Sequence, residues 1–103
     1  MKNRLEGLLI LFEKNPNDTF IIYGISLEYL SLKEYAEAEK YLKLLLENEP
    51  GYVPAYMQYA QLKEKLNQID DAKEIYRQGI KKAKEAGDKK LAVEMEEFLN
   101  ELE

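Results

Sequence analysis

The sequence contains no cysteine and no histidine. Without cysteine the chain has no disulfide bonds, no thiolate nucleophile and no sulfur-rich zinc site. Without histidine it lacks the commonest general base near neutral pH and the commonest ligand of transition metals. The one adjacent pair of aspartates, Asp70 and Asp71, stands at a predicted helix start, where negative charge stabilises the helix. We therefore expect no enzymatic activity, no cofactor and no metal site.

Long apolar runs are missing as well. The N-terminal stretch from Leu5 to Phe12 is interrupted by Glu6 and Gly7, and no small-residue cleavage site follows it. No run approaches the roughly 18 apolar residues that span a bilayer. The formal net charge of -5 opposes binding to nucleic acids and anionic membranes. These features predict a cytoplasmic protein with neither a membrane nor a nucleic acid as partner.

The composition is that of a folded chain, with 46% hydrophobic and 34% charged residues in a length of 103. That length fits one domain. Apolar residues recur at helical spacing, and proline, glycine, asparagine and aspartate separate the segments. The pattern predicts six helices, at about 2–14, 18–31, 34–48, 52–66, 69–85 and 88–102. Because the connections are short, neighbouring helices should run antiparallel.

An internal repeat is visible at a period of 34 residues. Residues of similar size and character recur at this distance. The pairs are Pro16 and Pro50, Ile22 and Tyr56, Ser26 and Ala60, Ala38 and Ala72, and Leu42 and Tyr76. A period of 34 residues is typical of a stacked pair of antiparallel helices.

This pattern resembles the tetratricopeptide repeat family. The resemblance implies an all-α, tetratricopeptide-type solenoid of about six antiparallel helices. Its division would be a half-repeat helix at 1–16, repeats at 17–50 and 51–84, and a C-terminal capping helix at 85–103. The small residues Ser26, Ala38, Ala60 and Ala72 would be spacers where helices cross. Lys33 and Asn67 stand at a turn position that usually holds glycine, and a left-handed backbone there would be costly for lysine.

The resemblance also implies a function in binding a protein or peptide, since in this family the first helix of each repeat lines a concave groove. The matching residues are Phe20, Tyr23, Leu27 and Leu30 in one repeat and Met57, Gln58, Gln61 and Glu64 in the next. The predicted groove is lined by Phe20, Tyr23, Leu27, Met57, Gln58 and Gln61. Some members grip an acidic C-terminus with a groove lysine and asparagine. Tyr23 and Leu27 occupy those places here, so that class of ligand is not expected.

Two other uses of the apolar groove remain open at the level of sequence. The C-terminal helix could cover it with Leu91, Met95 and Phe98, or a second copy of the chain could do so in a homodimer. A self-associating structural module is thus the alternative to peptide binding. Core packing is predicted for most of the eight tyrosines. These are Tyr29, Tyr35, Tyr41, Tyr56, Tyr59 and Tyr76.

Overall fold

The computed structural model describes residues 2–103, with side chains from Arg4 onward. The chain forms α1 (Lys2–Lys14), α2 (Thr19–Ser31), α3 (Tyr35–Asn48), α4 (Val53–Lys65), α5 (Ile69–Glu85) and α6 (Lys89–Leu102). No strand occurs in this range, so the predicted all-α class is confirmed. Every helix begins and ends within one residue of its predicted bounds. None of these helices has the length and apolarity needed to cross a membrane.

Two aspartates begin helices by capping free backbone amides. The Asp18 carboxylate accepts from the backbone N–H of Phe20 at 3.0 Å and from that of Ile21 at 3.2 Å. Asp88 accepts from the backbone N–H of Leu91 at 3.1 Å. Such a cap contributes about 1 kcal/mol to helix stability. The caps explain why α2 and α6 begin directly after these residues.

Three helices end in the same turn, a Schellman motif. After α2, the N–H of Lys33 donates to the Leu30 carbonyl at 3.0 Å, and the following N–H donates to the Tyr29 carbonyl at 2.9 Å. The same pair of bonds ends α4 and α5. The residue that makes the turn has φ 60° at Lys33, 61° at Asn67 and 76° at Gly87. The lysine therefore adopts the left-handed backbone that ordinarily favours glycine.

Replacing Lys33 with glycine should stabilise the protein by about 1 kcal/mol, because glycine adopts a positive φ without the steric cost that lysine bears. Asn67→Gly is the matched control, since asparagine tolerates this conformation better. Chemical denaturation of both variants measures the two effects. A destabilised Lys33→Gly, or an equal gain in both variants, would contradict the assignment of strain to Lys33.

The helices form two compact units, the first ending at Pro50 and the second comprising Gly51–Glu103. In unit 1, α2 packs against α1 and α3, and in unit 2, α5 packs against α4 and α6. The fully buried large side chains are Ile22, Ile25, Leu42 and Leu45 in unit 1 and Leu62, Tyr76 and Met95 in unit 2.

Aromatic contacts join the helices of unit 1. The Phe12 ring meets the Tyr41 ring edge-on at 5.5 Å between centroids, and Tyr29 stacks on Tyr41 at 5.8 Å. Burial raises the pKa of both tyrosine hydroxyls. Arg4 also pairs with Glu28 at 3.1 Å, but the arginine side chain is largely exposed, so the pair contributes little. The rings of Phe12, Tyr29 and Tyr41 therefore link α1, α2 and α3 in addition to the buried aliphatic side chains.

A close approach of three helices marks the core of unit 2. Gly79 lies in the middle of α5 and is buried. A Cβ atom at this position would lie 2.6 Å from the Tyr56 Cβ on α4 and 2.7 Å from the Met95 Sδ on α6. Real Cβ atoms essentially never come this close to other heavy atoms. Only glycine lets α4 and α6 pack onto α5 in this way.

Candidate functional site

Helix α2 is apolar on both sides. Its buried side carries Ile22 and Ile25, which have no exposed surface. The predicted groove residues Phe20, Tyr23 and Leu27, hereafter the α2 face, recur at helical spacing on the other side. Phe20 is 77% exposed, and Tyr23 and Leu27 are half-buried. Since a helix that is apolar all round is normally buried, the α2 face is a surface suited to a partner.

The corresponding residues of α4 are more polar. Met57, Gln58 and Gln61, hereafter the α4 face, are all half-buried, whereas Ala60 and Leu62 of the same helix are fully buried. Methionine adapts its shape to an apolar contact, and the glutamine amides both donate and accept hydrogen bonds. The α2 face belongs to unit 1 and the α4 face to unit 2.

The four residues predicted to be packing spacers have no exposed surface. Ser26, Ala38, Ala60 and Ala72 are each 0% exposed. The Ser26 hydroxyl donates to the Ile22 carbonyl one turn back on α2 at 3.0 Å, which satisfies a polar group inside the core. Small side chains at such positions allow neighbouring helices to approach closely.

The apolar residues of α6 pack against α5. Met95 is fully buried, with its sulfur against Gly79. The Phe98 ring stacks on that of Tyr76, with 5.9 Å between centroids and 20° between planes. Met95 thus serves the core of unit 2, whereas Phe98 is half-buried beside it.

A cleft lies between α4 and α6 in unit 2, with a volume of about 400 Å³. This α4–α6 cleft is lined by Gln61, Glu64, Lys65, Phe98 and Glu101. The hydroxyl of the buried Tyr76 donates to Glu64 Oε2 at 2.5 Å. Burial raises the pKa of Tyr76, with further contributions from this hydrogen bond and from the negative charges of Glu64 and Glu101.

Sequence reasoning found only part of this cleft: Gln61 and Glu64 were matched to groove positions, and Phe98 was considered as a cover of the groove. Helical spacing places Gln61 and Glu64 on one side of α4. The sequence pattern, however, predicts that Glu101 lies on the solvent-exposed side of an amphipathic helix. Only the packing of α6 brings Phe98 and Glu101 beside α4. Within residues 4–103 no group of three or more acidic side chains is arranged to hold a metal ion. The cleft presents two carboxylates, an amide, an ammonium group and an aromatic ring.

Comparison with known proteins identifies the fold. The family model for the tetratricopeptide repeat matches residues 29–89. The TPR repeat-containing protein PA0015 of Pseudomonas aeruginosa is 24% identical, over 96% of this chain and 94% of its own length. A tetratricopeptide repeat domain protein from Salinibacter ruber is 33% identical with a TM-score of 0.81, covering 85% of this chain and 89% of that one.

A further solved structure shares the fold alone, because its sequence identity is only 17%. It is the TPR2B domain of yeast Sti1 in complex with pHsp70. The match has a TM-score of 0.88 and covers 95% of this chain and 78% of that one. Six helices, a 34-residue repeat and a family match over more than half of the chain agree. The chain belongs to the tetratricopeptide repeat family.

Proposed function

We propose that this chain is a scaffold or adaptor module that binds a protein or peptide of the cytoplasm through the first helices of its two repeats, α2 and α4. The repeats would be 17–50 and 51–84, with 1–16 and 85–103 as flanking caps. Tetratricopeptide repeats generally mediate protein–protein interactions and are generally not enzymes. The observation that carries the proposal is the α2 face, an apolar surface on the solvent side of a helix whose other side forms the core.

The expected mechanism is burial of apolar surface on a helix already held in place. Aromatic side chains such as Phe20 and Tyr23 bury a large area and lose little conformational freedom on binding. The amides of Gln58 and Gln61 would pair with the backbone of the bound segment and set its direction. The complex of yeast Sti1 with pHsp70 supports the proposal, since a domain of this fold is there in a complex with another protein.

Tyr23→Ala should weaken binding of a partner peptide about tenfold, because it removes an aromatic contact from the middle of the α2 face. Stability should change by less than about 1 kcal/mol, since the side chain is only half-buried. The measurement is calorimetric titration with a peptide selected against the full chain by phage display. Ile10→Ala is the control, because Ile10 is also apolar and exposed but lies on α1. If Tyr23→Ala unfolds the protein, the residue belongs to the core and the proposal fails.

Self-association is a second candidate, favoured by apolar exposure on α1. Ile10 and Leu11 are 56% and 45% exposed there. A second copy of the chain that covered these residues would form a homodimer without any separate ligand. Sedimentation of the free chain used in the titration tests this, because a monomeric mass over a wide concentration range contradicts self-association.

A further inference from the structure

The α4–α6 cleft differs in charge from the α2 face. Glu64 and Glu101 line it together with the Gln61 amide and the Phe98 ring. Lys65 is the one cation among the residues that line it. The formal charge of the lining is thus negative, like that of the whole chain, and it would attract a cationic group.

Two elements of the cleft are held by the same buried residue. Tyr76 donates its hydroxyl to Glu64 at 2.5 Å and stacks its ring on Phe98. Since Tyr76 has no exposed surface, neither the carboxylate nor the ring needs much ordering when a ligand arrives. Preorganised groups of this kind bind with a smaller loss of entropy.

Among residues 4–103, no cationic side chain forms an ion pair with either carboxylate of the cleft. Within the described part of the chain, the ion pairs involve acidic residues other than Glu64 and Glu101. Lys65 is exposed at the rim and forms no ion pair with them. A cation supplied by a partner would find both carboxylates available.

We propose that the α4–α6 cleft binds an arginine side chain of the partner peptide. A guanidinium group is planar, so it stacks on an aromatic ring while its N–H groups pair with carboxylates. Phe98 supplies the ring, and Glu64 and Glu101 supply the carboxylates. The inference rests on the proposed function, because it adds a charged contact to a peptide bound along α4.

The test uses a single capped arginine, N-acetyl-arginine N-methylamide, as the probe. Titrated into the isotope-labelled full chain, it should shift the NMR signals of the Gln61 side-chain amide and of neighbouring α4 and α6 amides in a saturable way. Affinity should be in the millimolar range, as for a ligand of this size. Capped citrulline has nearly the same shape without the charge and should bind at least about fivefold more weakly. Capped lysine should also bind more weakly, since it cannot stack as a plane.

Matched variants localise the effect. Glu101→Gln and Glu64→Gln should each weaken capped arginine by about three- to tenfold, since each removes one charged acceptor. Glutamine still accepts the Tyr76 hydrogen bond at position 64, so the fold should persist. Glu97→Gln makes the same charge change on α6 outside the cleft lining and should have little effect. Phe98→Leu should weaken arginine more than lysine.

Four results would overturn the proposal. If capped citrulline bound as tightly as capped arginine, a charged contact would be excluded. If Glu97→Gln and Glu101→Gln weakened arginine binding equally, the overall charge of the chain would explain the binding and the cleft would not. Free arginine binding more tightly than the capped form would identify an amino acid as the ligand. If a saturating concentration of the probe caused no shifts, the cleft would not be an arginine site. The Tyr23→Ala test of the α2 face would not be affected by that result. If arginine bound to the cleft but Tyr23→Ala left peptide affinity unchanged, the cleft would be supported as a binding site and the α2 face would be contradicted.

Discussion

Gly79→Ala should destabilise the protein by about 1 to 3 kcal/mol, although alanine is the better helix former by about 1 kcal/mol. The added methyl group would lie 2.6 Å from the Tyr56 Cβ and 2.7 Å from the Met95 Sδ. Met95 could change rotamer, but it is fully buried and has little room. The Tyr56 Cβ is attached directly to the backbone of α4, so relief there requires the helix to shift.

Two other glycines make the result for Gly79 specific. Gly7 lies within α1, and a Cβ there would have nothing within 4 Å, so Gly7→Ala should stabilise by about 0.5 to 1 kcal/mol. At Gly24 the nearest atom is a terminal Leu8 methyl group at 3.3 Å, which can rotate away, and the effect should lie between the two. Urea denaturation of the three variants measures the series. A gain in stability for Gly79→Ala would show that α4 and α6 do not pack against α5 as closely as described.

Stability should fall steeply above pH 10, the ordinary pKa of tyrosine. Burial, the hydrogen bond to Glu64 and nearby negative charge raise the pKa of Tyr76 in the folded state. The unfolded chain therefore releases the proton near pH 10 while the folded chain retains it. The contribution of Tyr76 to the free energy of unfolding is fully present below pH 10. It is lost as the pH rises, by up to about 1.4 kcal/mol per pH unit for one tyrosine. Between pH 10 and 12, Tyr76 alone should account for a loss of about 2 kcal/mol.

The variant Tyr76→Phe isolates this contribution. It should lose stability at neutral pH, since the hydrogen bond to the Glu64 carboxylate is gone, but its stability should fall less steeply above pH 10. Burial also raises the pKa of Tyr29, Tyr41 and Tyr56, so some alkaline dependence should remain in the variant. Denaturant titrations at several pH values give both slopes. Equal slopes in the wild-type protein and the variant would show that Tyr76 is not the residue responsible.

The helices could be predicted from sequence because their signals are local. Asp18 and Asp88 mark helix starts by their capping chemistry, and the 34-residue period shows which segments are equivalent. The conflict at Lys33 was also visible, since a turn that favours glycine carries a lysine, and the observed φ of 60° confirms that the left-handed backbone is needed.

Contacts between helices were beyond the reach of sequence alone. Gly79 looks like a weak point within a helix until α4 and α6 are seen against it. Tyr76 was predicted as a core residue, but its hydrogen bond to Glu64 depends on how α5 packs on α4. The α2 and α4 faces could be predicted from residue spacing, because each lies on one helix. The complete cleft could not be predicted in this way, because its lining comes from two helices.

The pairing of each helix with its neighbours along the chain bears on how the protein folds. Since α2 packs with α1 and α3, and α5 with α4 and α6, most contacts between helices close short loops. Proteins of such low contact order fold within microseconds to milliseconds. The segment up to Pro50 is one of the two compact units. During synthesis it can therefore collapse while α4 to α6 are still being translated, which limits the time for which the apolar surfaces of α1 and α2 are open to aggregation.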